Sequence, residues 1–469
     1  MNSDKDFHLW NLFRNFENDL VKIKYLPFLA SFRNIFEDIY NQSFLHKTIS
    51  KRKYLRFSDF ESFLNHLLWF FLWSFKYVLF LIFNKKNLVL ISVGSDRNTS
   101  FSYAEYLSSW SKNNNSNILS LNILCKSKYL FSKNIFYYPK SAKCFSNKLV
   151  HFLRNSHNEQ INIISKKQNY WSYKASKRTV KTINYNSREM LSFLYLIRKH
   201  RTRILFLVQD FDYTDNKYIF CNIAKIFHIP TFTLDHSILP YRYMYSNSYS
   251  DFALVWGNYQ KERINNNYGK KPKQIFVSGK PNVIFGRIIT NKSKKYWTYI
   301  PIAYSNPGVI SFTRNANLLF HNVYSIKTIL NKYFSNMKLI LKIHPQDNKN
   351  SFVFLKKIAT ISKILIPYVT EAQILFVEDS SFSIELLQYD IPIIYLPDDK
   401  NNDPFKIKDF TSIYFLDKGK PFLDLILEAI NNKIDWSKRQ KHFEYFFNDS
   451  TDYESTLHNI LNNAGKQSD

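Results

Sequence analysis

Glycine is scarce in this chain, with 8 in 469 residues, and the G-x-G-x-x-G fingerprint of dinucleotide-binding turns is absent. Cysteine is scarcer still. Cys125, Cys144 and Cys221 have no C-x-x-C spacing and no matching histidine cluster. Such a set excludes a disulfide framework and a structural zinc site, and fits a reducing compartment. Acidic residues are few: 37 Asp and Glu stand against 65 Lys and Arg, a net charge of +28. A field of that sign draws anions, so nucleic acid, anionic membrane surfaces and phosphorylated substrates are all candidate partners. The opening residues, MNSDKDFHLW, lack the basic-then-apolar plan of a secretory signal. No repeat of fixed period is present.

Long hydrophobic runs are also lacking, with one near-exception. Leu67–Phe83 (LLWFFLWSFKYVLFLIF) is interrupted by Lys76 and followed by Lys85 and Lys86. A membrane span needs roughly 20 apolar residues. This run is shorter, yet rich in the Trp and Tyr that favour a membrane interface and flanked by cations that favour anionic headgroups. Residues 1–86 therefore read as a basic, aromatic extension whose helix 67–83 associates with a membrane, with a buried helix and a true span as alternatives.

What is abundant is a real core, 45% hydrophobic, cut into alternating strand and helix patterns. The first series has strands Leu88–Val93, Ile118–Cys125, Ile204–Val208, Thr231–Leu234, Asp251–Trp256 and Gln274–Ser278. Helices Ser100–Trp110, Glu189–His200, Asp215–Phe227 and Gln260–Asn267 fall between them, while 126–185 shows no clear order. Residues 281–307 lose periodicity and carry Pro281, Gly286, Pro301 and Pro307, as expected of a connection. The second series has strands Val309–Phe312, Leu339–Ile343, Ile374–Val377, Ile391–Leu396 and Ile413–Leu416, with helices Ala316–Phe334, Phe352–Ile361 and Ser381–Tyr389. Three helices, Pro421–Asn431, Ser437–Phe447 and Tyr453–Asn462, close the chain. Alternation of this kind predicts an α/β protein with two Rossmann-like, doubly wound parallel sheets, one in 87–280 and one in 308–469.

Ligands of such sheets bind at the C-terminal ends of the strands. Four places there carry chemistry. Lys342-Ile343-His344-Pro345 ends a strand, and Pro345 holds His344 extended at the rim, where an imidazole meets a phosphate or a ribose. Glu378-Asp379-Ser380-Ser381 opens a helix whose free N–H groups favour an anion, though a serine there is equally an ordinary helix cap. Glu385, one turn on, is placed to accept from a ribose hydroxyl. Asp235-His236-Ser237 puts a carboxylate beside a candidate base, with Asp210 from the neighbouring strand end as a second orienting group. Thr313-Arg314-Asn315 offers a guanidinium to a diphosphate.

The order of these pieces, from about residue 225 to 400, resembles the GT-B transferases of bacterial surface polymers: CDP-glycerol glycerophosphotransferase-like enzymes, capsular polysaccharide transferases and polysialyltransferases. The likeness lies in Leu234-Asp235-His236-Ser237, where the family's His-Gly pair keeps only its His, and in Ser250–Gly257 and Ile275–Pro281. It continues through the His344-Pro345 pair, the Asp379-Ser380-Ser381 turn and the strand Ile391–Leu396. The resemblance implies a nucleotide-activated donor in the second domain, held by Lys342, His344, Pro345, Arg314, Glu378, Asp379, Ser380, Ser381 and Glu385. It implies an acceptor, a glycan or a lipid-linked molecule, in the first domain with His236 as base. No Asp-x-Asp motif is visible in the cleft strands, so a metal-independent enzyme without a cofactor is expected, at the cytoplasmic face of a bacterial inner membrane and without a nucleic-acid partner. A UDP-sugar epimerase of the same shape and a non-enzymatic basic protein binding lipid or nucleic acid are the alternatives.

Overall fold

The computed structural model describes four strands between Val89 and Val208, scattered positions from there to Ile238, and most of the chain from Ser250 to Lys466. The extension 1–86, with the run Leu67–Phe83, lies outside the described residues, as do the expected strand Val309–Phe312 and most of the expected helices before Phe227.

Two sheets form the frame. The first contains β1 (Val89–Val93), β2 (Asn117–Leu121), β3 (Ile135–Tyr137), β4 (Thr202–Val208), β5 (Thr231–Leu234), β6 (Phe252–Val255) and β7 (Gln274–Val277) in the order β3-β2-β1-β4-β5-β6-β7. Helix α1 (Asn258–Asn265) joins β6 to β7. The second contains β8 (Tyr296–Ile300), β9 (Lys338–Lys342), β10 (Thr360–Ser362), β11 (Ala372–Val377), β12 (Ile393–Tyr395) and β13 (Tyr414–Phe415) in the order β10-β9-β8-β11-β12-β13. Every adjacent pair in both sheets is parallel. In each sheet the chain starts in the middle, winds outward to one edge, then returns to wind outward to the other. The switch falls between β1 and β4 in the first sheet and between β8 and β11 in the second.

The helices of the second half are α2 (Ala316–Tyr333), α3 (Ser381–Glu385), α4 (Ile407–Phe410), α5 (Phe422–Asn431), α6 (Trp436–Phe446) and α7 (Thr451–Lys466). Strand alternation divides their packing. In β11, Ile374 and Phe376 join the layer beneath α2 and α5, built on Leu319, Val323, Ile326, Leu330, Leu425 and Ile426. Leu375 and Val377 point the other way, into a layer with Ile384, Leu386, Leu387, Phe443 and Phe446. Both faces are covered, so the strand is a continuous apolar run, as buried parallel strands are.

β3 lies in the stretch 126–185 that showed no clear order, α4 was not expected, and two further elements differ from the sequence reading. β8 lies inside 281–307, the stretch expected to connect the domains; its YWTYI run is built of strand-forming aromatics and Thr, masked by the adjacent Pro301 and lysines. The expected helix Phe352–Ile361 is a 3₁₀ turn, Lys349–Leu355, followed by β10. Thr360 and Ile361 are β-branched, and β9 offers them a free edge, where Ile343 N–H reaches Ser362 O at 2.9 Å.

Helix α6 ties the halves together. Its Arg439 is buried and donates to Tyr389 O at 2.6 Å and Ile391 O at 2.7 Å, anchoring the lead into β12. Burial lowers the guanidinium pKa to about 10, still charged at neutral pH. At its far end Tyr259 of α1 stacks on Phe446 with ring centres 4.5 Å apart, and Asn448 N–H donates to Trp256 O at 2.7 Å. Gly257 sits between. A Cβ there would stand 2.2 Å from the Phe446 carbonyl oxygen, and its φ of −156° is ordinary extended backbone. Closeness, not backbone conformation, requires the glycine.

Two outcomes follow from this seam. Gly257→Ala forces the two backbones apart and is expected to cost roughly 1–3 kcal/mol, as overpacked sites do, read as a fall in denaturation midpoint. His442 is fully buried on α6 and stacks on Phe410 at 4.4 Å, and desolvation lowers its pKa to about 4. The unfolded chain takes up this proton first, so His442 favours folding above about pH 6.5 and the benefit is lost as pH falls towards 4. The wild type is expected to lose on the order of 2 kcal/mol more than His442→Phe between pH 7 and 4.5 in paired denaturation curves.

Candidate functional site

The site is built at the C-terminal edge of the second sheet, at the switch between β8 and β11. Adjacent strands lie about 4.8 Å apart, so the ends of β9 and β11, with β8 between them, stand roughly 10 Å apart. Lys342 is the last residue of β9, and its Nζ leans 5.5 Å from the centre of the Phe382 ring in the first turn of α3. The side chain thus spans the gap above β8. His344 follows, half-buried where the strand leaves the sheet. The structure therefore brings Lys342, His344, Ser380 and Ser381 to one edge.

Below them is a buried polar knot. Glu378, fully buried at the end of β11, accepts from the Tyr299 hydroxyl of β8. Asn322 of α2 donates to that hydroxyl at 3.1 Å. The bond joins the two strands that flank the switch. Glu378 is thus engaged beneath the edge rather than offered at its surface. Ser380 caps α3, its Oγ accepting from Phe382 N–H at 3.3 Å, and Ser383 Oγ donates to Glu378 O at 2.7 Å. Ser380 therefore has the ordinary cap geometry, whereas Ser381 is half-buried at the first helical position.

Glu385 has a neighbour within the chain. Its carboxylate meets Lys280 Nζ at 2.6 Å, with the two side chains 26% and 16% exposed. Lys280 comes from the other half, just past β7, and also lies 5.0 Å over the Trp256 ring. Gly279, at φ +77°, makes the turn that delivers it, a left-handed conformation that favours glycine. This ion pair fixes the position of α3 relative to the first sheet.

In the first half, Asp235 is buried at the end of β5, accepting from Gln260 Nε2 at 2.6 Å. The same Gln260 accepts from Trp256 N–H at 2.7 Å. The geometry shows Asp235 holding the start of α1 to the sheet. Asp210, His236, Arg314, Pro345 and Asp379 lie outside the described residues. Among the described residues no three His, Cys, Asp or Glu side chains gather as a metal-binding group, and no helix is long and apolar enough to cross a membrane.

Sequence reasoning missed Lys280, Tyr299, Asn322 and Gln260. Only Lys280 had a signal, a cation directly after a strand and a glycine. The others act through partners far away in the chain. A cleft of about 1010 Å³ also opens beside α6, lined by Arg287, Trp436, Lys441 and Gln388 among others. None of the described residues among those expected to act lines it.

No protein-family model matches the chain, and no curated protein does. Among solved structures, it is similar to UDP-GlcNAc 2-epimerase from Methanocaldococcus jannaschii in complex with UDP-GlcNAc and UDP, at 12% identity and TM-score 0.47, over 80% of this chain and 99% of the other. It is also similar to the glycosyltransferase SnogD from Streptomyces nogalater, at 5% identity and TM-score 0.46, over 81% and 100%. These likenesses are too distant to assign the chain to either group.

Tyr299→Phe removes the donor beneath Glu378 without changing the ring. It is expected to cost about 1–3 kcal/mol, the penalty for weakening the satisfaction of a buried acceptor. Unchanged stability in a denaturant titration would show that the bond contributes nothing.

Proposed function

We propose that the protein is a GT-B-type glycosyltransferase, or a glycerophosphotransferase, acting on a nucleotide-activated donor. One observation carries the reading. Lys342 at the end of β9 leans towards Phe382 of α3, whose start follows β11, on one edge of a wholly parallel sheet, and His344, Ser380 and Ser381 belong to the same two strand ends. That is where open α/β sheets take ligands, and these groups suit an anion. Lys342 and the N–H groups at the start of α3 offset the charge that grows on a leaving nucleotide diphosphate. His344 donates to a phosphate oxygen or a ribose hydroxyl. Arg314 adds a second cation by this reading, and neutralisation by cations and hydroxyls in place of a metal ion is part of the proposal.

The acceptor, a cell-surface glycan or a lipid-linked molecule, lies on the first half. His236 takes the proton of its attacking hydroxyl, so that the new bond forms as the bond to the nucleotide breaks. Residue run Leu67–Phe83 holds the enzyme at the cytoplasmic face of the membrane, where such acceptors reside.

Thermal denaturation with CMP, CDP, UDP and GDP tests the donor site, because a ligand that binds only the folded chain raises the midpoint. At a hundred times its dissociation constant the gain is about 2.7 kcal/mol. One nucleotide is expected to act, and Lys342→Ala to abolish its effect; no shift with any of the four defeats the reading. With that donor, His344→Ala and Ser381→Ala are expected to lower transfer roughly a hundredfold or more while the fold survives. Turnover at the wild-type rate in either variant removes that residue from the site. An epimerised sugar nucleotide formed with no acceptor present identifies the epimerase alternative.

A further inference from the structure

Helix α2 has a second face. Leu319, Val323, Ile326 and Leu330 are buried against the sheet, while Phe320 and Tyr324, one turn apart, are 42% and 58% exposed. Their rings stack, 6.1 Å between centres. The 3₁₀ turn Lys349–Leu355 extends the patch. It buries Phe352 and Leu355 and turns Val353 and Phe354 outward, 48% and 52% exposed. Phe354 lies 6.1 Å from Phe320. Two separate elements thus bury their proper apolar residues and still raise a joint aromatic surface.

Along these two elements the charge is almost all of one sign. Across 316–363 the chain carries eight lysines and a single carboxylate, Asp347. Lys356 and Lys357 are exposed just past the buried Leu355, and His321 is exposed beside Phe320. Aromatic rings within a lysine border suit the region where acyl chains meet anionic headgroups. A second copy of the same face fits poorly, because a two-fold contact sets this border against itself.

We propose that Phe320, Tyr324, Val353 and Phe354 form a contact surface for an anionic lipid bilayer, with Lys356 and Lys357 meeting its headgroups. α2 starts, and the 3₁₀ turn lies, on the side where β8 and β9 end, so the bilayer stands beside the edge that carries Lys342 and His344. The inference requires neither the transferase reading nor the run Leu67–Phe83.

The test reads this surface locally in the full chain. A bimane label is attached to a Val353→Cys variant in which Cys125, Cys144 and Cys221 are replaced by Ser. With phosphatidylcholine–phosphatidylglycerol vesicles the label is expected to shift to the blue and be quenched by brominated acyl chains, and with phosphatidylcholine alone it is not. Lys356→Glu with Lys357→Glu is expected to weaken the vesicle dependence on the order of tenfold or more. A silent label on a chain that sediments with the vesicles overturns the proposal. So does a shift produced by single-stranded RNA but not by vesicles, which assigns the face to nucleic acid. A shift that grows with protein concentration without lipid assigns it to a second copy.

Discussion

The close approach of α6 to Gly257 is the constraint on which the arrangement depends. A helix from the end of the chain crosses back to the first sheet and lays the Phe446 carbonyl against a backbone with no side chain. Aromatic burial drives it: Trp256, Tyr259, Phe443, Phe446 and Phe447 form one cluster with residues of the second sheet. Rings of this size remove much apolar area from water. Arg439 then fixes the helix on its other side through backbone carbonyls, bonds that carry direction as well as energy.

Given that seam, the edge of the second sheet acquires a defined neighbour. Lys280 reaches across from β7 to Glu385, and a partly shielded pair of opposite charges holds its geometry better than an exposed one. On the connecting segment the more exposed Arg287 pairs with Asp390 at 2.5 Å. Among the described residues the halves are therefore joined by an apolar seam and by the ion pairs Lys280–Glu385 and Lys406–Glu262. α3, whose start carries Ser380 and Ser381, is held from both sides.

Much of the frame was legible because parallel strands announce themselves. Buried on both faces, they are short apolar runs separated by helical periodicity, and β5, β7, β11 and β12 lie close to where those runs fall. β8 was hidden because Tyr, Trp and Thr between lysines and Pro301 look like irregular surface chain. β10 was hidden because three residues extend only when β9 offers them an edge. Among the candidate groups, Lys342 and His344 were visible because Pro345 marks the strand end. The pairing of Glu385 with Lys280 was not legible, since nothing local in a helix states that a lysine about a hundred residues earlier will fold onto it.

The order of residues alone determined two doubly wound sheets, a strongly cationic chain, and a rim of imidazole, ammonium and hydroxyl groups at strand ends. These are properties of local pattern and composition, which need no partner to be read. Only the tertiary structure decided that Glu378 is sunk beneath Tyr299, that Asp235 is held by Gln260, and that Glu385 belongs to Lys280. A carboxylate is acid, base, cap or tie according to which donor the fold brings within about 3 Å of it, and that distance is set by contacts between residues remote in the chain.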